Sequence, residues 1–296
     1  FVQDTYHPIE NLALHFGFKS VLSTTRVGNG YANPDYYGAG TELASGVGLT
    51  TAKPFLPHIS ADWHFLKHHE LFFDISENVH TYAQCGYNLC ASPFAVTQSA
   101  FNAGKSSFRP ETDWTYAVGY RYSSEHVGLS LYGYRTNFSN RLQQVTSGSA
   151  VNPISTVANV GGVTMNGVDA ALTIMPIRNL MFTNSLSYDH ATYDANLTEA
   201  GTVYRLKGAQ IVNYPRYMYK TRLSYDWNGM TAYVDASYNS SRNFSYTGDV
   251  KVPAYWLSNL GMQYNLSKIA AIGNNIKPVK DLTLSFSVTN LQNTHY

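Results

Sequence analysis

Alternation with a period of two, with charge confined to one phase of it, constrains this chain more than any other feature. In Leu282, Leu284, Phe286 and Val288 every second residue is apolar, and Thr283, Ser285, Ser287 and Thr289 fill the gaps. Such a segment is a strand with one dry face and one wet face, because successive side chains of an extended chain point to opposite sides. Ala232, Val234, Ala236 and Tyr238 alternate in the same way with Thr231, Tyr233, Asp235 and Ser237. Tyr219, Leu223, Tyr225 and Trp227 oppose Lys220, Arg222, Ser224 and Asp226. Upstream, Trp114, Tyr116, Val118, Tyr120 and Tyr122 oppose Asp113, Thr115, Ala117, Gly119 and Arg121, and Ile59, Ala61, Trp63 and Phe65 oppose Ser60, Asp62 and His64. Every Asp, Lys and Arg of these five segments keeps to the wet parity.

The strands so implied run about 10–14 residues, whereas strands of soluble sandwiches run about 5–6. Tilted strands of about 9–11 residues or more are what cross a bilayer. Charge agrees: only 13% of the 296 residues are Asp, Glu, Lys or Arg, about half the usual share for a soluble domain. Mean hydropathy is nevertheless −0.24, so Ser, Thr, Asn and the 24 Tyr replace the missing charge. No run reaches the roughly 20 apolar residues of a membrane helix; the longest candidate, 269–276, is broken by Gly273, Asn274 and Asn275. A net charge of +1 gives no reason to expect nucleic acid as a partner.

Short polar breaks at 7–11, 66–70, 123–126, 176–179 and 227–229 alternate with long segments rich in Gly, Asn, Ser and Tyr at about 23–53, 82–108, 143–155, 195–210 and 240–251. Loops beyond about 12–15 residues are uncommon in compact domains, but outer-membrane barrels pair short periplasmic turns with long outer loops. The aromatic pairs Trp63/Phe65, Tyr120/Tyr122 and Tyr225/Trp227 all precede a short break, where a periplasmic girdle belongs. A soluble propeller shares the repeat of roughly 50 residues, but it needs four short strands per repeat.

Four segments resemble the barrel of TonB-dependent outer-membrane receptors. FVQDTYHPIENLALHFGFKS resembles a strand–turn–strand of that family, and FRPETDWTYAVGYRY is similar to its Pro-Glu strand at Pro110, Glu111, Tyr116, Gly119 and Arg121. NVGGVTMNGVDAALTI carries Asp169 where the family usually has Glu, and LTLSFSVTNLQNTHY is close to its penultimate strand at Asn290, Leu291, Asn293 and Tyr296. Ala117 departs from the Glu often found there. The resemblance implies an all-β, transmembrane antiparallel barrel, of which residues 1–296 supply the C-terminal portion, about 12 strands of a probable 22. The plug domain, the N-terminal strands and the final strand are expected to lie outside the sequence.

Cys85 and Cys90 are the only cysteines; in an oxidising extracytoplasmic compartment a local disulfide is the natural reading, and two thiols without further ligands make a poor zinc site. His68 and His69, beside Lys67 and Glu70, read as solvated turn residues. The sequence holds no Gly-x-Ser-x-Gly elbow, His-Glu-x-x-His or phosphate loop, so no enzyme is expected and no cofactor is called for. Asp62, Asp74, Asp113, Asp169 and Asp235 read as lumen groups paired with Arg121, Lys220 and Arg222 across neighbouring strands. Ligand recognition is expected from Arg109, Tyr134, Arg141, Tyr204, Arg205, Lys207, Arg242 and Tyr246, a cationic and aromatic rim near the long loops that suits an anionic chelate.

The function expected is outer-membrane, TonB-dependent uptake of an iron–siderophore or ferric carboxylate complex in a Gram-negative bacterium. The expected partners are the iron chelate, the lipid bilayer and lipopolysaccharide, and the TonB energy-coupling complex through the missing N-terminal part. A passive or substrate-specific porin, and a barrel adhesin or soluble propeller, are the alternatives.

Overall fold

Twelve strands hydrogen-bond in one antiparallel sheet in which each lies beside the next long strand in sequence. The computed structural model describes residues 1–28, 45–82, 93–94, 98–149, 152–199, 202–246, 248–266 and 282–295. Its long strands are β1 Val2–Ile9, β2 Leu12–Arg26, β3 Gly48–Leu66, β4 His69–His80, β5 Glu111–Ser123, β6 Val127–Ser139, β9 Val163–Ile177, β10 Leu180–Tyr193, β13 Tyr217–Trp227, β14 Met230–Asn239, β17 Tyr255–Asn265 and β18 Thr283–Val288. Three small hairpins lie between them, β7 Leu142–Ser149 with β8 Asn152–Asn159, β11 Leu197–Glu199 with β12 Thr202–Tyr204, and β15 Arg242–Asn243 with β16 Lys251–Val252. Among the described residues one short helix, α1 Gln98–Gly104, stands between β4 and β5. The sheet is open, with β1 and β18 as its edges.

Local chemistry sets the turns. Asn228 and Gly229 adopt φ of 46° and 84° between the paired residues Trp227 and Met230. Both central φ values are positive, which a two-residue turn needs to match strand twist, and Asn-Gly supplies them at least cost. Two-residue turns also join β1 to β2, β3 to β4 and β9 to β10. Pro54 and Pro57 sit inside the central strand β3, where each lacks a ladder N–H, and the register between β2 and β3 shifts close by, between Lys19 and Val21. Bulges are where a sheet tolerates proline.

The asymmetry of connections expected from the sequence is present, with one departure. Turns below the sheet are short except 266–282, which joins β17 to β18; residues 267–281 lie outside the described part. At the other end, four of the five long connections rich in Gly, Asn, Ser and Tyr carry secondary structure of their own among the described residues, α1 and the three hairpins.

The parity also holds. Val118, Leu223, Val234 and Phe286 are 59%, 41%, 43% and 59% exposed in the chain alone. Directly opposed residues share a face of the sheet, and Leu223, Val234, Leu260 and Val288 form one such row. Asp113, Thr136 and Asp189 of the other face are buried. A sheet with an exposed apolar side and a polar opposite side suits a wall between lipid and a wet lumen.

Two aromatic rows bound the apolar face. Trp63, Tyr120, Tyr122, Tyr225 and Trp227 stand at the turn end, as expected. At the loop end, Tyr188 and Tyr217 lie 5.1 Å apart, and Trp256 lies 5.0 Å from Tyr238 and 6.0 Å from Tyr219. Ten residues of β13 separate Tyr217 from Trp227, roughly 33 Å along the strand. At a tilt near 40° that covers roughly 25 Å, the height of an outer-membrane apolar band.

Candidate functional site

Polar groups of the wet face converge where the strands meet the outer loops. His80 closes β4 and Glu111 opens β5, and the two are register partners, as are Asn78 and Asp113. His80 Nε2 lies 3.4 Å from Asp113 Oδ2, while Asn78 Nδ2 and Thr115 Oγ1 donate to Asp113 Oδ1 at 3.2 and 3.3 Å. Arg141 reaches in from the position just before β7. Its Nη1 lies 3.3 Å from Glu111 Oε1 and its guanidinium 4.3 Å from the Phe138 ring centre; the Leu142 N–H donates to the other Glu111 oxygen at 3.2 Å. These groups line a cavity of about 690 Å³.

Tyr134 lies two residues down the same face of β6 from Thr136, and its hydroxyl donates to Asp189 of β10. Tyr132 is hydrogen-bonded to Asp169, its register partner. Above them Tyr214 projects from the β12–β13 connection. Burial pushes its phenol above the ordinary value, the Asp189 charge adds to this, and Arg141 opposes it. The mouth therefore holds a cation stacked on an aromatic ring, several phenols and a row of carboxylates, a set able to hydrogen-bond an oxygen-rich ligand.

The loops above this cavity have apolar cores. Val160, Val163, Tyr193, Leu206, Ile211 and Tyr246 belong to one, drawn from the three connections after β6, β10 and β14. Leu49, Tyr82, Phe94 and Phe101 form the other, from the connections after β2 and β4. Arg141 and Leu142 stand where the two meet: Leu142 packs against the second, while Arg141 exchanges both backbone bonds with 160–161, at 2.9 Å each, beneath the first.

The residues expected to bind ligand fall into separate places. Arg141 and Tyr134 face the mouth. Tyr246 is 8% exposed inside the first loop core, its ring 6.0 Å from Tyr193, and Tyr204 packs against the same core; burial, not the rim, explains these tyrosines. Arg205 and Lys207 are exposed on the turn after β12. Arg109 folds back on the carbonyls of Ser106 and Phe108, at 3.1 and 3.4 Å, close enough to oppose the upward push of burial on the Tyr82 phenol. Arg242 lines a different cavity, together with Arg216, Tyr217 and Lys251. His80, Glu111, Asp189 and Tyr214 were absent from the expected set, although extending the wet parity of β4 and β5 by one step reaches His80 and Glu111. Cys85 and Cys90 lie outside the described residues.

Lower in the lumen, histidines take the role assigned to arginine and lysine. His15 Nε2 lies 3.3 Å from Asp62 and His58 Nε2 lies 3.0 Å from Asp74. Arg121 does pair at 2.6 Å, but with Glu70. Arg222 opposes Asp235 in register yet stacks 3.8 Å above the Tyr233 ring, and Asp235 accepts from Asn259 at 2.7 Å. His68 and His69 are not simply solvated: Nδ1 of each lies 2.7 Å from an oxygen, the Ser123 carbonyl and the Tyr120 hydroxyl respectively. Among the described residues no group of three or more His, Cys, Asp or Glu could hold a metal ion.

An antiparallel wall with an exposed apolar face bounded by aromatic rows, a polar inner face and long loops over one end defines a segment of a transmembrane β-barrel. The chain belongs to the TonB dependent receptor-like β-barrel family, whose model matches residues 1–291. No curated protein matches the sequence. Among solved structures, the siderophore receptor PiuA from Acinetobacter baumannii superposes with a TM-score of 0.68 at 15% identity, over 99% of this chain and 38% of that one. A mutant of the ferric enterobactin receptor PfeA from Pseudomonas aeruginosa gives 0.61 at 15%, over 99% and 39%. The copper transporter OprC gives 0.64 at 13%, over 99% and 41%. At these identities the likeness is one of fold, and the chain spans about two fifths of each structure's own length.

Proposed function

We propose that this chain supplies part of the wall and outer loops of a Gram-negative outer-membrane receptor that takes up an iron chelate at the expense of TonB-coupled energy. The family match over residues 1–291 carries the reading. Structures of relatives named as siderophore and ferric enterobactin receptors support the ligand class, and two of the PfeA mutant structures contain enterobactin. The mouth geometry adds a physical reason. Arg141 held over Phe138, with the Tyr134 and Tyr214 phenols below and beside it, offers charge-assisted and aromatic contacts to an anionic chelate whose oxygens surround a metal. The metal belongs to the cargo.

In this proposal the chain contributes no gate and no catalysis. Energy coupling and the plug reside in other parts of the receptor, and Arg109, Arg205 and Lys207 add positive charge around the entrance that favours capture of an anion.

Uptake of radiolabelled ferric siderophores into iron-starved cells expressing the full-length protein tests this. At least one ferric siderophore is expected to accumulate, to stop accumulating when TonB is deleted, and to accumulate about tenfold more slowly at limiting concentration with Arg141→Ala, the loss of one charge-assisted contact. Undiminished uptake without TonB would replace the proposal with a passive channel, and absence of uptake for every ferric chelate tried would reject the ligand class.

A further inference from the structure

One oxygen of Glu111 faces two cationic groups. Its Oε1 lies 3.3 Å from Arg141 Nη1 and 4.0 Å from His80 Nε2, while its other oxygen accepts the Leu142 N–H at 3.2 Å. The same His80 nitrogen lies 3.4 Å from Asp113 Oδ2, so it stands between two carboxylates. Among the described residues Glu111, Asp113 and Arg141 are the charged side chains that share the mouth cavity with His80. Lys53 of β3 and Glu77 of β4 pair with each other at 3.4 Å, and Glu77 opposes Trp114, which places that pair on the opposite face of the wall.

His80 and Glu111 stand above the apolar band. They are register partners beyond the Glu77–Trp114 pair, and Trp114 stacks on Tyr116 at 6.4 Å on the lipid-side parity, where aromatic residues mark the membrane boundary. The Asp113 hydrogen bond raises His80 above the ordinary imidazole value; burial opposes this, the charges of Glu111 and Asp113 add to it, and Arg141 opposes it. A ligand that draws the guanidinium away removes the opposing charge and leaves Glu111 Oε1 without its nearer cation. An anion in the cavity pushes in the same direction. Little else has to move. The Arg141 backbone is fixed by its two bonds with 160–161, so its side chain turns about a fixed point, and Leu142 keeps the second Glu111 oxygen.

We infer that capture of an anionic chelate by Arg141 is coupled to uptake of one proton by His80, whose imidazolium replaces the guanidinium at Glu111. The inference rests on the proposed reading of Arg141 as a ligand contact and adds the regulation of that site. The proton enters from solvent on binding and returns to it on release. Affinity therefore rises as pH falls through the window between the His80 pKa of the free and of the loaded mouth. That window starts above the ordinary imidazole value, because the free mouth already favours the charged form. Below the window His80 is charged with or without ligand and above it neutral in both, so affinity is flat on either side. His80 is thus a positioning residue: it answers the carboxylate that Arg141 leaves.

The test is calorimetric titration of the full-length protein in detergent with ferric enterobactin and with ferric citrate, at about pH 8.5 and about pH 6.5, in two buffers of different ionisation enthalpy. Between the two pH values the wild-type protein is expected to gain about threefold to tenfold more affinity than His80→Gln, and to take up more protons per chelate bound; the comparison cancels the titration of the chelate itself. Glu111→Gln is expected to bind more tightly than wild type at about pH 8.5, because Arg141 is no longer held, and to lose most of the pH dependence. Equal pH dependence or equal proton uptake in wild type and His80→Gln, or weaker binding by Glu111→Gln, would each overturn the inference and leave the uptake proposal standing. Binding of neither chelate, or binding that Arg141→Ala leaves undiminished, would overturn the ligand reading and this inference with it. Heat-dependent gel migration checks folding, and either variant alone carries the pH comparison if the other fails to fold.

Discussion

Glycine placed on the wet parity does specific work in this wall. Phe72 opposes Gly119, Tyr134 opposes Gly167 and Tyr233 opposes Gly261 across neighbouring strands. A Cβ at any of these glycines would collide with the opposing ring, so each ring lies flat over the backbone of the next strand. Flat rings keep the lumen open and offer their faces: Arg121 sits 4.0 Å above Phe72 and Arg222 3.8 Å above Tyr233. Tyr134, laid over Gly167, is aimed at Asp189. Gly167→Ala is therefore expected to lift Tyr134 from Asp189 and to lower the yield of folded barrel, while Gly128→Ala, whose Cβ would meet nothing nearer than 3.9 Å, is expected to leave the yield unchanged. Heat-dependent gel migration of the outer-membrane fraction reads both, and equal yields would show that the ring can move aside at no cost. In the sequence these glycines were visible only as gaps in the polar face, since nothing local to Gly119 or Gly167 says that Phe72 or Tyr134, on another strand, lies opposite.

For whole strands, the account stands on which face meets lipid. Lys placed at Val118, Leu223 or Val234 is expected to impair assembly by about 2–4 kcal/mol near the bilayer midplane; Lys at Ser237, on the inner face, is expected to be tolerated. Outer-membrane yields of the four variants check this, and four equal yields would reject the face assignment. Ser224 shares the wet parity but is only 5% exposed, opposite Met181, so alternation by itself overstates how much room the inner face has. The strands were legible because lipid and water impose opposite demands on adjacent residues, and that conflict is written into every second position of β5, β13 and β14. The loop structure was not legible, since β7 to β8, β11 to β12 and the packing of Tyr193 and Tyr246 depend on contacts between connections far apart in sequence. The same limit explains the mixed outcome at the mouth. Arg141 and Tyr134 could be placed from their own strands, whereas Tyr214 and Asp189 join them only through the neighbouring strands and loops.

Taken as a whole, the molecule is a curtain of twelve strands with two differently solvated sides and a structured rim. Five connections condense into two apolar-cored blocks above the sheet, and Arg141, Leu142 and Glu111 tie them together over the polar mouth. Low charge and abundant tyrosine follow from this arrangement: the outer face carries little charge, and tyrosine serves at both aromatic rows, over the lumen glycines and inside the loop cores. The uptake proposal depends on the curtain standing in a bilayer with the mouth cluster inside and Tyr217 outside. Spin labels placed singly at residues 217–227 in the full-length protein, reconstituted in lipid, measure that directly through their relative accessibility to oxygen and to a water-soluble nickel chelate. Oxygen accessibility is expected to peak at 219, 221, 223 and 225, with the nickel chelate favouring 220, 222 and 226; a profile without two-residue alternation, or with the opposite phase, would contradict the account.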